Sequence, residues 1–286
     1  MAERAALLSA PRRTFVPDRA RTLVLCIVFA GALGAIVVAG MMVEPVAMTS
    51  DLAQKNLPPS WAHPFGTDQL GRDMLCRTLA GLSLSIVVGL VAAVASALIA
   101  VVLGAVAALG GRRADDAVSL LIDLMMGIPH IVLLLLISFA LGKGFWGVII
   151  GVALTHWPNL ARVMRAEMLQ CKQAPYVEAA RKLGVGAVRI AWHHMVPYIL
   201  PQLVVGLVLL FPHAILHEAA ITFLGFGLSP EQPAIGIILS ESMAYLSSGM
   251  WWLAILPGVA LVVVVMAFDA AGHGLRRLVD PAHAQD

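Results

Sequence analysis

Four histidines stand in or beside long apolar runs, where imidazole is rare: His130, His156, His213 and His217. His213 and His217 are four residues apart in PHAILHEAA, so a helix puts them on one face, and two neutral imidazoles at that spacing can share a divalent metal. His130, directly after Pro129, and His156, in THWPNLAR, can point the same way, and Glu218 follows His217 directly. An ionisable side chain inside a membrane is costly and is therefore a candidate for function. The competing reading is a histidine that packs and hydrogen-bonds within a helix bundle. A metal in a transport path has to leave again, which suits two imidazoles better than a full set of four ligands. A metal chelate, with its organic part against the wall, fits the same residues. His193 and His194 lie in a basic segment and read as solvated.

Catalysis by these residues is not expected. An intramembrane metalloprotease needs His-Glu-x-x-His, whereas the order here is His-x-x-x-His-Glu, and no Gly-x-Ser-x-Gly nucleophile turn is present. The phosphate-binding pattern GxxxxGK[ST] is absent, so any ATP and magnesium are expected on other chains. Cys26, Cys76 and Cys171 are too few and too scattered for a disulfide framework or a metal set.

The elements that must position the histidines are membrane helices. Of the 286 residues, 60% are hydrophobic and 13% charged, and the mean hydropathy is +0.88; that composition is an integral membrane protein's. Counting apolar runs against the roughly 20 residues that cross a bilayer predicts six spans, near residues 22–43, 80–109, 117–142, 144–164, 196–222 and 250–269. Placing the amino terminus in the cytoplasm puts 15 of the 19 Lys and Arg residues on that side, leaving only Lys55, Arg72, Arg77 and Lys143 outside. The positive-inside rule then puts both termini in the cytoplasm. The net charge of +2 points to no nucleic acid. The expected organisation is a leader over residues 1–21, a first helix over 22–43, an external loop over 44–79, a five-helix core over 80–270 and a tail over 271–286. The arginine-bearing leader and the lack of a cleavage pattern argue against a signal peptide. Gly81, Ser85, Gly89, Ala93 and Ala97 recur every fourth residue on the second span, a stripe that admits a close neighbour.

One stretch interrupts the apolar pattern. From Pro175, in PYVEAARKLGVG, Tyr176, Val177, Ala180, Leu183 and Val188 can share an apolar side, with Glu178, Arg181, Lys182 and Arg189 elsewhere and Gly184 and Gly186 as a break. Alone, this predicts a short helix resting on lipid headgroups.

The residues also resemble a family signature. Glu178-Ala179-Ala180, three residues, Gly184, then Ile190 and Val196-Pro197 resemble the EAA loop of ABC-importer permeases, departing from it in Val196 where leucine is usual. The loop would occupy residues 166–195. His63-Pro64-Phe65-Gly66-Thr67-Asp68-Gln69-Leu70-Gly71-Arg72-Asp73 resembles the segment before the second span in dipeptide, oligopeptide and nickel permeases. Physically it is a turn-rich external loop in which Asp68, Arg72 and Asp73 can pair with one another or with backbone, and Gly66 and Gly71 permit turns. Asp123, six residues before Pro129, and EAAITFLGFG from Glu218 extend the likeness, which runs from about His63 to Pro281. The His-x-x-x-His pair and Thr155-His156-Trp157 are similar to nickel permeases, and peptide permeases usually lack these histidines.

This resemblance implies an all-α type I ABC-importer permease in the bacterial inner membrane. Such a chain pairs with a homologous permease, binds two ATPase subunits on the cytoplasmic face and receives cargo from an external solute-binding protein. Tyr176, Ala179, Ala180 and Leu183 would pack against an ATPase subunit, Glu178, Arg181 and Lys182 would make polar contacts, and Gly184 would free the helix from the span. The histidine pattern favours nickel or a metal chelate as cargo, with a dipeptide or oligopeptide as the alternative. A stand-alone channel or secondary transporter is the rival from another class, and it would need no ATPase.

Overall fold

In lipid every backbone N–H and C=O has to be satisfied within the chain, which leaves helices as the spanning elements of an open bundle. The computed structural model describes residues 19–279; their regular elements are helices, with one isolated bridge between Thr67 and Asp73. The outermost residues, 1–18 and 280–286, which include most of the expected leader and part of the tail, lie outside the described residues.

Ten α-helices follow in order: α1 (Arg19–Ala47), α2 (Met74–Leu109), α3 (Gly111–Gly127), α4 (His130–Ala140), α5 (Gly144–Lys172), α6 (Pro175–Lys182), α7 (Ala187–Ile190), α8 (Val196–Phe223), α9 (Ile235–Leu246) and α10 (Trp252–Val279). A π turn, Ala191–Met195, joins α7 to α8. Four stretches are long and apolar enough to cross a membrane: Cys26–Ala47, Met74–Leu109, Ala187–Phe223 and Trp252–Arg276. α5 is long enough, but His156, Pro158 and Asn159 interrupt its apolar run. It tolerates them because much of it is buried in protein and not in lipid.

The span expected over 117–142 is divided into two helices. α3 and α4 meet at 94° across Ile128 and Pro129. Proline lacks an N–H and pushes the preceding residue out of the helical region; Ile128 accordingly sits at φ −92, ψ 133. Other boundaries differ too: α1 and α2 start before the expected residues and α10 runs on to Val279. The fourth expected span, α5, continues eight residues beyond 164, to Lys172, because RVMRAEMLQCK is composed largely of good helix formers that need no membrane. The basic-free stretch after Gly225 contains α9, which at 12 residues is too short to register as a span.

α2 is the central helix and packs against α1, α5 and α8. Its small residues permit this: a Cβ on Gly89 would stand 2.7 Å from Ile215 Cγ1 of α8, and Ser96 Oγ donates to Ala153 O of α5 at 2.9 Å. One buried cluster joins Ala97, Ala107 and Ala108 of α2 to Trp157, Met164 and Met168 of α5 and to Met195 and Ile199 at the start of α8. A second joins Met74, Ile86 and Ala93 to Phe211, Ile215 and Leu253. Apolar side chains such as Leu98, Leu136 and Met266 remain exposed, as they must on a lipid-facing surface.

The loop before α2 is built around a buried carboxylate. Asp68 accepts from Arg72 Nε at 2.6 Å and from Arg77 Nη1 at 2.8 Å, and Arg77 Nη2 reaches Glu241 of α9 at 2.9 Å. Asp73 caps α2 through Cys76 N at 2.9 Å and meets His63 Nδ1 at 2.8 Å. Gly71 lies at φ +74, and a Cβ there would overlap Asp51 O, so only glycine lets the loop close on itself. Arg77 and Glu241 complete a network of which the sequence pattern picked out only Asp68 and Arg72.

Candidate functional site

Two regions carry the residues with chemistry, one inside the bundle and one on its surface. The first is a cavity of about 510 Å³ between α5 and α8, lined by His130, Thr155, His156, Asn159, His213 and His217 among others. A neighbouring cavity of about 370 Å³ shares His130, Thr155 and Asn159 with it. The break at Pro129 makes His130 the first residue of α4, where α4 packs on α5.

Three of the four intramembrane histidines converge. The ring centroids of His130 and His156 are 4.4 Å apart, those of His130 and His217 4.5 Å, and those of His156 and His217 4.9 Å, all edge to face. His156 Nε2 lies 3.4 Å from His217 Nδ1. One ring nitrogen from each of the three falls within 4.8 Å of the other two. His156 Nδ1 is 3.0 Å from Val152 O, four residues back, and as the N–H donor there it leaves Nε2 bare. His130 Nδ1 is buried without a hydrogen-bond partner among the described residues.

His213 and His217 stand four apart on α8 and line the same cavity, and of the two it is His217 that enters the contact between three helices. His213 lines the same cavity but is exposed, with Nδ1 3.1 Å from Leu209 O. Glu218 points elsewhere: it is fully buried, its Oε1 accepts from Thr222 Oγ1 at 3.0 Å, and Thr222 Oγ1 in turn accepts from Leu228 N at 3.2 Å. That chain fastens the end of α8 to the turn after it. Asn159 and Thr155, neighbours of His156 on one face of α5, are cavity residues that the histidine pattern did not single out. Their i+3 and i−1 spacing from His156 was the available signal. Asp123 is exposed and pairs with Arg162 Nη2 at 3.1 Å.

The second region is α6. Pro175 starts it, where a missing N–H is harmless, and Glu178 in the first turn with Arg181 and Lys182 in the last complements the helix dipole. Its end is a Schellman motif: Val185 N donates to Ala180 O at 3.1 Å and Gly184 N to Arg181 O at 3.0 Å, with Gly184 at φ +81.

Val177 is buried in the cluster that holds Met164, Met168 and Cys171 of α5 and Met195 and Ile199 of the α8 entry, and Ala180 packs against it. Ala180 therefore faces inward, whereas Tyr176, Glu178, Ala179, Arg181, Lys182 and Leu183 are exposed. Leu183 at 84%, Val188 at 83% and Trp192 at 71% form an apolar surface on α6 and α7, edged by Arg181, Lys182 and Arg189. The Tyr176 hydroxyl meets Cys171 Sγ at 3.4 Å; that hydrogen bond, with burial and the thiol's charge adding to it, pushes the phenol up to about 12. It stays neutral under any physiological condition.

Residues 100–283 match the family model described as "Binding-protein-dependent transport system inner membrane component". A putative peptide permease protein of Brucella suis biovar 1 (strain 1330) is 39% identical over 234 residues, which cover 81% of this chain and 77% of that protein. The dipeptide transport system permease protein of Bacillus subtilis (strain 168) is 34% identical over 230 residues, 80% of this chain and 72% of that one. Among solved structures, an inward facing form of the MetNI methionine ABC transporter is similar with a TM-score of 0.56 at 21% identity, covering 72% of this chain and 98% of that chain.

Proposed function

The chain belongs to the family of binding-protein-dependent transport system inner membrane components, and from that membership we propose that it forms half of the translocation path of an importer for short peptides. This is a multi-pass inner-membrane permease subunit of an ABC importer, with the type I fold, and ATP hydrolysis belongs to partner subunits. The peptide cargo is supported by relatives named as peptide and dipeptide permeases at 39% and 34% identity. Those names favour peptides over the nickel expected from the histidine pattern. A second permease, two ATPase subunits and an external solute-binding protein complete the proposed machine.

The observation that carries the mechanism is the seating of α6. Gln173 and Ala174 alone separate it from α5, and Val177 locks it to both α5 and the α8 entry. A displacement of α6 is thereby passed to the two helices that wall the histidine cavity. Its exposed apolar and basic face is the surface for an ATPase subunit. Closure of the nucleotide-bound ATPase pair moves α5 and α8 as packed bodies, and alternating access results. The π turn at Ala191–Met195 marks where the α8 entry departs from regular helix, a feature common at functional positions.

The test is uptake of labelled dipeptides and oligopeptides by cells carrying the intact importer. ATP-dependent accumulation that needs this chain, together with copurification of an ATPase through it, supports the proposal. Transport by the chain alone, with no ATPase attached, would instead establish the stand-alone transporter.

A further inference from the structure

We propose that His130, His156 and His217 form an open site for a divalent first-row transition metal in the wall of the translocation cavity. Three polar rings brought together inside a helix bundle need partners to offset their lost hydration. Backbone carbonyls satisfy only part of that need, since His130 Nδ1 has no partner among the described residues. Two nitrogens bound to one tetrahedral metal at about 2.0–2.1 Å stand about 3.3–3.4 Å apart. The 3.4 Å from His156 Nε2 to His217 Nδ1 is that separation. His130, with a ring nitrogen within 4.8 Å of both others, closes the set by a small rotation at the start of α4. His217 Nδ1 also lies 2.7 Å from His213 O; to bind the metal through Nδ1 the ring takes the tautomer that carries its proton on Nε2, and the contact with that carbonyl is given up. The bond from His156 Nδ1 to Val152 O fixes the tautomer with Nε2 bare, the orientation seen in metal-binding histidines.

The donor set selects the metal. Three imidazoles with no carboxylate and no thiolate among them suit zinc, cobalt, nickel or copper and not calcium or magnesium. Glu218, the nearest carboxylate in sequence, is turned to Thr222 and does not join them. The three rings line the cavity of about 510 Å³, so a fourth coordination position is left for water or for a donor atom of the cargo. The residues come from α4, α5 and α8, so the set is intact only while those helices keep this arrangement.

The inference uses the peptide-importer reading only in that the cavity opens to solvent during the transport cycle, and its test is binding and not transport. The intact importer, purified through a tag free of histidine and held in nanodiscs, is titrated with Co²⁺. One Co²⁺ per copy of this chain is expected, with visible absorption of tetrahedral intensity, and X-ray absorption of the loaded wild type should show imidazole nitrogens as the dominant neighbours. His156→Gln and His217→Gln should each weaken binding by about tenfold or more, while His213→Gln and His193→Gln leave it unchanged. Failure of the wild type to bind Co²⁺, a sulfur-dominated shell, or equal loss in His213→Gln would overturn the site. Because the wild-type measurements stand alone, misassembly of a variant does not blunt the test. Peptide uptake with no Co²⁺ site would sink this inference and leave the proposed function standing; a Co²⁺ site without peptide uptake would do the reverse.

Discussion

Replacing Gly184 separates the geometry of the α6 turn from the space around it. The residue sits at φ +81, and nothing lies within 4 Å of where a Cβ would stand. Alanine there meets no clash and costs only the left-handed backbone, about 1–2 kcal/mol. Proline costs more, because its φ is held near −65° and it has no N–H. The bond from Gly184 N to Arg181 O is then impossible, and Val185 N is carried away from Ala180 O. About 3 kcal/mol or more follows, which lowers the population of the native turn on the order of a hundredfold. Because α6 is exposed and the turn lies at its end, membrane insertion and the packed helices should survive. The assay is ATP-driven peptide uptake, normalised to the amount of chain in the membrane. Gly184→Ala should reduce uptake partially and Gly184→Pro should bring it to background. Wild-type uptake by the proline variant would refute the coupling role of α6. Equal damage from alanine and proline would show that something other than the turn is being lost.

Glu178→Arg loses an exposed i,i+4 pair with Lys182 at 2.9 Å, about 0.3–0.5 kcal/mol, and reverses a favourable charge at the start of α6, about 0.3–1 kcal/mol, so thermal stability should change little while uptake is lost; a variant that transports normally would remove Glu178 from the ATPase interface. Asp68→Ala strands Arg72 and Arg77, which are 6% and 2% exposed, and should cost about 3–5 kcal/mol, read as a lower unfolding temperature in detergent. Glu241→Ala, at a side chain 30% exposed, should cost clearly less, and the opposite ranking would show that Asp68 is not the centre of the loop. The double change His213→Ala, His217→Ala should lower uptake of metal–peptide complexes more than uptake of metal-free peptides, and an equal effect on both would detach these two histidines from the choice of cargo.

The chain announces its class loudly and its tertiary contacts hardly at all. Apolar runs long enough to cross a bilayer are visible in one dimension, as are helix stops such as Gly184. The bend at Pro129 was visible as a residue and not as a consequence, since proline is tolerated in many membrane helices and only packing decides whether it kinks or breaks one. α9 was hidden because 12 residues between Ala234 and Ser247 make no span. Periodicity reports neighbours on one helix, so it linked His213 to His217. The contact among His130, His156 and His217 arises from three helices separated by 26 and 61 positions in sequence, and no local spacing encodes it. For the same reason Arg77 and Glu241, 164 residues apart, were not visible as partners.

The length of α5 has a mechanical consequence. At 29 residues it is a rod of about 44 Å, held at its cytoplasmic end by the seat of α6. Tilting such a lever by about 5° swings its far end through about 4 Å. Pro158 lies within it and gives no N–H to Leu154 O, so one rung of its hydrogen-bond ladder is missing two residues from His156. A helix bends more easily where a rung is missing, so the softest point of the lever stands beside the cavity wall.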